Sequence, residues 1–297
     1  MTDFSTAMQL TPTGERRWSA DLPADWAQGR TTFGGLIAAL AARVAVQVVG
    51  AERQLRTMDV AFVAPLAPGR VELEIEVLGQ GKAVTQLVVS IRSAGELGCR
   101  VHVVAGAPRV SGLRVDTAPA ELLEGDPATQ GIDFPYVPGV SPEFCQHIEY
   151  RWCSDAFPFS GGGPETARLK GWARHRSAAT GLEATIALLD SWPPVILPMA
   201  TGRIPASTVR WAIHLAGLND LSDQELAEVD AAAQWFWYEA QTVQAADGYA
   251  TATAAMYADG RLLAWSEQLI AVYDRPAVEV PDAPAAEAEI AEAATPA

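Results

Sequence analysis

The feature that most constrains this chain is a plan it follows twice. An apolar helix opened by glycine, FGGLIAALAARVAVQVV from Phe33 to Val49, precedes a run of strand-like segments, LRTMDVAFVAPL and then VELEIEVLGQGKAVTQLVVSIRSAGELGCRVHVVAG. Further on, TGLEATIALLDSWPPVIL supplies a second helix and STVRWAIHLAGL the next strand. WFWYEAQTVQAADGYATATAAMYADGRLLAWSEQLIAVYD supplies three more. VELEIEV alternates apolar and acidic residues, as a half-buried strand does. Gly79–Lys82, Ala94–Gly95, Asp247–Gly248 and Asp259–Gly260 supply turns between antiparallel strands. A helix followed by a meander, twice in the same order, predicts an α+β domain duplicated in tandem. The reading divides the chain into a first unit over 1–112, a linker over 113–141, a second unit over 142–275 and an acidic Ala/Pro tail over 276–297 that is too polar to fold.

Composition bounds the function. With 21 Lys+Arg against 36 Asp+Glu the net charge is -15, which argues against nucleic-acid and anionic-membrane binding. No apolar run reaches the length of a membrane helix, so no membrane insertion is expected. Cys99, Cys145 and Cys153 lack metal-type spacing, and the four histidines form no cluster. Reduced thiols, a cytoplasmic setting and no metal follow as expectations.

The two repeats differ where chemistry would sit. Setting Gly35-Leu36 over Gly181-Leu182 places Val44 over Asp190. Setting MDVAFVAPL over WAIHLAGL places Leu55 over Thr208, and superimposing the Gly95 and Gly260 turns places Val103 over Gln268. Three apolar residues in the first repeat thus face a carboxylate, a hydroxyl and a carboxamide in the second. Asp190 continues the stripe of Leu182 and Ile186 in the last helical turn, before Pro193-Pro194. There it opposes the helix dipole and must find partners. The three groups together can hold a water, with the carboxylate accepting its proton and the other two orienting it.

The duplicated plan, FGGLIAALA, and the Asp190, Thr208 and Gln268 placements resemble the acyl-CoA thioesterase II family of double-hotdog proteins. The resemblance runs from about Asp25 to Tyr273. It implies a tandem double hotdog, two antiparallel sheets each wrapped around a long central helix. It also implies hydrolysis of acyl-CoA to CoA and a fatty acid without a cofactor, by water activated by Asp190, Thr208 and Gln268. Gly34 and Gly35 match the family's glycine pair, whose backbone N–H would receive the thioester carbonyl. Leu36 stands where better-known members carry Gln, and Arg210 and His214 depart from their strand pattern. Association into homo-oligomers is left open.

Other features read as structural. His214 and His102 read as strand residues, with His214 a candidate for lining a pocket. Trp235 and Trp237 in QWFWYEA are expected to pack between the two units, and Arg168, Lys170, Arg174 and Arg176 in RLKGWARHR to face solvent. SGGGP at Ser160–Pro164 lacks the lysine of a nucleotide loop. Two other readings compete: a non-catalytic acyl-CoA-binding protein, and a hotdog hydratase or dehydratase, which would need an Asp/His pair.

Overall fold

The computed structural model describes residues 1–113, 115, 129–215 and 234–274. The acidic tail, and residues 114 and 116–128 of the segment read as a linker, lie outside the described residues. In chain order the elements are α1 (Phe4–Ala7), β1 (Thr11–Gly14), β2 (Arg17–Leu22), β3 (Ala27–Gln28), β4 (Thr31–Thr32), α2 (Gly34–Val49), β5 (Gln54–Phe62), β6 (Gly69–Gln80), β7 (Val84–Ser93) and β8 (Glu96–Gly106). There follow β9 (Ile132–Asp133), β10 (Ile148–Trp152), β11 (Arg168–His175), α3 (Gly181–Leu189), β12 (Ala206–His214), β13 (Phe236–Ala246), β14 (Tyr249–Ala258) and β15 (Arg261–Val272).

All the longer strands join one antiparallel sheet of thirteen, in the order β1-β2-β6-β7-β8-β5-β12-β15-β14-β13-β11-β10-β9. The expected two sheets are therefore hydrogen-bonded edge to edge. β5 and β12 pair from Arg210↔Ala61 to His214↔Thr57, which satisfies two edges that would otherwise be open. The Arg210 guanidinium locks this seam by donating to both Asp59 carboxylate oxygens, at 2.9 and 2.6 Å. That is a structural use for a residue whose place in the strand the sequence left unexplained.

Strand order is the same outward from the seam on both sides, and so are the irregularities. Bulges at Leu55/Thr57, Val77/Gly79 and Ile91/Arg92 recur at Thr208/Arg210, Thr242/Gln244 and Met256/Tyr257. Val103 pairs with Met58 and Leu87, while Gln268 pairs with Trp211 and Ala252. A bulge re-aims the residues beside it, so a repeated bulge repeats the direction of each side chain.

The alternation in VELEIEV is realised: Val71, Leu73 and Ile75 are buried and the glutamates between them are exposed. The inner face packs on α2, whose residues from Gly35 to Ala42 are all buried. That all-round burial explains its lack of any polar stripe. α3 is shorter, nine residues, and packs against α2. Ile132–Asp133, within the segment read as linker, adds an edge strand to β10, and Phe134 packs on Trp152 at 4.9 Å.

The tryptophans of QWFWYEA do not pack between the repeats. β13 lies well away from the seam, third beyond β12 in the sheet. Trp237 meets Trp172 edge-on at 5.0 Å, and Trp235 lies under the Arg174 guanidinium at 4.4 Å. Arg174 and Arg176 both pair with Glu149, and the seam is made instead by the β5–β12 backbone ladder, in which Trp211 stands opposite Val60 and Ile213 opposite Met58.

Candidate active site

Asp190 is the residue that ends α3, with φ -92° and ψ 0°. Its place at a helix C-terminus is unfavourable within α3 alone. The partners come from elsewhere. Gln268 on β15 donates its Nε2 hydrogen to Asp190 Oδ1 at 2.8 Å, and the Gly35 backbone N–H donates to the same carboxylate. Gly35 is in the first turn of α2, where the first intrahelical bond is Ile37 N–H to Phe33. The unpaired N–H groups and positive dipole end of α2 therefore face a carboxylate that the dipole of α3 repels.

This approach requires glycine at two successive positions. A Cβ on Gly34 would lie 2.8 Å from Asp190 Oδ2 and 3.0 Å from Phe62 Cζ. One on Gly35 would lie 2.7 Å from the Ala187 carbonyl oxygen and still closer to the Phe33 ring. The glycine pair is thus what lets α2 begin against the end of α3.

Burial pushes the Asp190 carboxyl up to about 7, and the Gln268 and Gly35 hydrogen bonds pull the other way without cancelling it. A group half-ionised near neutral pH is well matched to accepting a proton there. The segment that follows Asp190 is held by an aromatic box. Trp192 stacks on Tyr238 at 5.0 Å and meets Tyr150 edge-on at 5.3 Å, while Tyr150 donates to the Ser191 carbonyl at 2.7 Å.

Asp190, Thr208, Gln268 and Gly34 line one cavity of about 640 Å³. Asp190 and Gln268 are in direct contact. Thr208 sits on the wall at the β12 bulge, and among the described residues its hydroxyl has no hydrogen bond to either. Gly35 serves the carboxylate and is not itself on the wall. The other side of the cavity comes from residues the sequence did not single out: the β3–β4 hairpin with Gln28, Arg30, Thr31 and Thr32, and the loop after β5 from Phe62 to Leu66. Their polar residues follow no periodicity, so the only signal was the Gly29-Arg30 turn just ahead of Phe33-Gly34-Gly35. Trp235, Trp237, His102 and His214 are not among the lining residues; His214 is exposed, with its ring 5.1 Å from that of Trp265. The described residues hold no cluster of metal-ligating side chains and no helix long and apolar enough to cross a membrane.

Two helices packed on each other and on an antiparallel sheet, α2 against β5–β8 and α3 against β11, place the fold in the hotdog class of α+β proteins. Within that class the chain belongs to the acyl-CoA thioesterase family: residues 22–107 match the acyl-CoA thioesterase N-terminal domain and residues 117–272 the acyl-CoA thioesterase C-terminal domain. Among curated proteins none matches significantly. Solved structures share the fold over nearly the whole chain. A hotdog-fold protein of unknown function from Alicyclobacillus acidocaldarius is 19% identical with a TM-score of 0.77, covering 92% of this chain and 98% of its own. The acyl-CoA thioesterase II TesB2 of Mycobacterium marinum is 15% identical with a TM-score of 0.68, covering 91% and 98%. The dehydratase domain of RzxB from Pseudomonas fluorescens is 11% identical with a TM-score of 0.53, covering 89% and 96%. At these identities the likeness concerns the fold, and a fold does not choose between thioester hydrolysis and dehydration.

Proposed function

We propose that this protein hydrolyses acyl-CoA thioesters to CoA and a carboxylic acid, and that it does so as a tandem double hotdog whose second unit, 142–275, carries the base. The two sheets of the pair, each wrapped around its helix, are continuous through the seam. The observation that carries the reading is Asp190: a carboxylate raised to about 7, oriented by Gln268 and the α2 N-terminus, in the wall of a cavity large enough for the reacting part of an acyl-CoA.

Asp190 takes a proton from a water as its oxygen attacks the thioester carbon. Collapse of the tetrahedral intermediate breaks the C–S bond, and the proton held by Asp190 passes to the leaving thiolate. Gln268 cannot transfer protons, so it keeps the carboxylate in one rotamer. Thr208 offers a hydroxyl to the same water from the β12 bulge. The developing oxyanion is received at the start of α2. Because the Gly35 N–H is engaged with Asp190, that role falls to Gly34.

The rival readings are weaker on specific grounds. A hydratase or dehydratase would pair its carboxylate with a histidine, and none lines the cavity. A binding protein has no need of a half-buried carboxylate with a raised pKa, and Trp192 stands in the wall without closing the cavity. The three free thiols fit a reducing compartment, which we take to be the cytoplasm.

The test is release of free thiol from acyl-CoAs from acetyl to palmitoyl, with wild type and Asp190→Asn in parallel. The expected fall is roughly 10²–10⁴-fold for loss of a positioned general base. Equal turnover by the variant would move the chemistry elsewhere. Absence of turnover with retained CoA binding would favour the binding protein.

A further inference from the structure

Resting on the thioesterase reading, we infer that Arg30 is the residue that selects for the phosphate-bearing portion of the CoA leaving group. Among the described residues that line the cavity it is the sole cation, and Asp190 the sole anion. The two differ in setting: Asp190 lies inside the fold, whereas Arg30 is exposed at the turn of the β3–β4 hairpin. The reacting carbonyl belongs at the inner end, so what passes Arg30 is the part of the substrate that trails outward.

Arg30 is set apart by its place, because it brings an unpaired charge to the cavity itself. Arg17, Arg43, Arg151, Arg174, Arg176 and Arg210 all pair with carboxylates. Arg30, on the rim of the site, has no carboxylate partner among the described residues. With a net charge of -15 the protein as a whole repels a polyanion such as CoA, so an unneutralised guanidinium at the entrance matters more here than on a balanced surface.

The rim is also held in place. Thr32 N–H donates to the Leu66 carbonyl at 2.7 Å, Leu66 N–H donates to Thr31 Oγ1 at 3.2 Å, and Phe33 N–H donates to the Trp26 carbonyl at 2.9 Å. Only Phe33 separates Thr32 from the first turn of α2, so the hairpin that carries Arg30 is fixed to the helix end that holds Asp190.

The experiment compares wild type, Arg30→Ala and Arg30→Lys on one acyl group carried by CoA, by 3′-dephospho-CoA and by N-acetylcysteamine, which has no phosphate. Calorimetric titration with free CoA runs alongside. For Arg30→Ala the ratio of kcat/KM on acyl-CoA to that on the N-acetylcysteamine thioester is expected to fall roughly five- to tenfold, through KM, with a smaller loss in high salt. Arg30→Lys restores part of it, and affinity for free CoA falls in step. The dephospho substrate then tells the 3′-phosphate from the pyrophosphate. An unchanged ratio with unchanged CoA affinity overturns the inference while leaving hydrolysis intact. So does a variant that loses discrimination between succinyl- and butyryl-CoA, because Arg30 would then be reading the acyl group. If wild type hydrolyses none of the thioesters, the thioesterase reading fails and the titration alone decides whether Arg30 holds CoA.

Discussion

The two ends of the α2–α3 pair occupy matching positions and have opposite contents. At one end, α3 finishes in Asp190 against the glycine-opened start of α2, with Gln268 on β15 and Thr208 at the β12 bulge. At the other, the positions matched by register hold Val44, Val103 and Leu55, all buried. The start of α3 there carries Glu183, paired with Arg43 at 3.2 Å. The Arg43 guanidinium also donates to the Met8 carbonyl at 2.8 Å, and Phe4 and Met8 of the N-terminal segment are buried. One end is a polar cavity, and at the other the matching positions are buried apolar side chains. The same backbone, bulges included, supports both. A carboxylate is therefore not something this fold demands; it persists at one end because two donors, Gln268 and the Gly35 N–H, and a cavity accommodate it.

The largest expected effect comes from forcing the packed end to resemble the polar one. Val44→Asp puts a carboxyl among apolar side chains without the Gln268 and Gly35 counterparts. It should destabilise the protein by about 3–5 kcal/mol, read as a lowered urea midpoint. Asp190→Asn should go the other way. The Asp190 pKa is raised from the ordinary carboxylate value of 3.8 to about 7. Below the ordinary carboxylate range both folded and unfolded chains hold the proton. As pH climbs toward 7 the unfolded chain ionises first, so stability falls with pH across that window. Removing the charge should recover about 2 kcal/mol at pH 8, less than the full shift because the Gly35 N–H loses its acceptor. Equal costs at the two ends would mean that the polar partners do nothing for Asp190.

A second effect, smaller on stability and larger on rate, follows from the glycine pair. Gly34→Ala places a methyl 2.8 Å from Asp190 Oδ2, so either the carboxylate or the α2 start must shift. A displacement of the order of one ångström at the base costs on the order of 10²-fold in kcat, read as thiol release at saturating acyl-CoA. At the packed end, the residue aligned with Gly34 is Thr180, so the close approach is needed only where the carboxylate is. Full activity in Gly34→Ala would show that α2 does not hold the base.

Much of this contrast could be read from the chain because it is carried by substitutions at matching points of a repeat. Asp190 stood out on the stripe Leu182–Ile186, where a charge has no business unless it is partnered. The turns at Gly95 and Gly260 fixed the register that set Gln268 against Val103. What could not be read is where separate segments meet. The β5–β12 ladder that fuses the sheet is made by strands far apart in sequence, and neither carries a mark of its partner. Alternation places Trp235 and Trp237 on one face of β13, but only the strand order says that β13 is far from the seam. The β3–β4 hairpin is two residues on each side, too short for any period, so its part in the cavity became visible only when it folded against Leu66.

The finest test of the comparison is Gln268→Leu, which makes the polar end one step more like its counterpart at Val103. The amide hydrogen bond is among the influences that hold the Asp190 pKa down against burial, the other being the Gly35 N–H. Removing it leaves desolvation less opposed, so the pKa must rise above about 7. A general base acts when ionised. The rate at fixed substrate should therefore climb through pH 7 in wild type, and the same limb should move to higher pH in the variant, by roughly one unit for one lost charge-assisted hydrogen bond. At pH 9 both proteins hold an ionised Asp190, and the remaining difference measures what Gln268 contributes to orientation alone. A uniform loss at every pH would assign Gln268 to positioning and leave the pKa to the helix terminus. A shifted limb that converges at high pH would mean that the carboxamide acts mainly by keeping the base ionised.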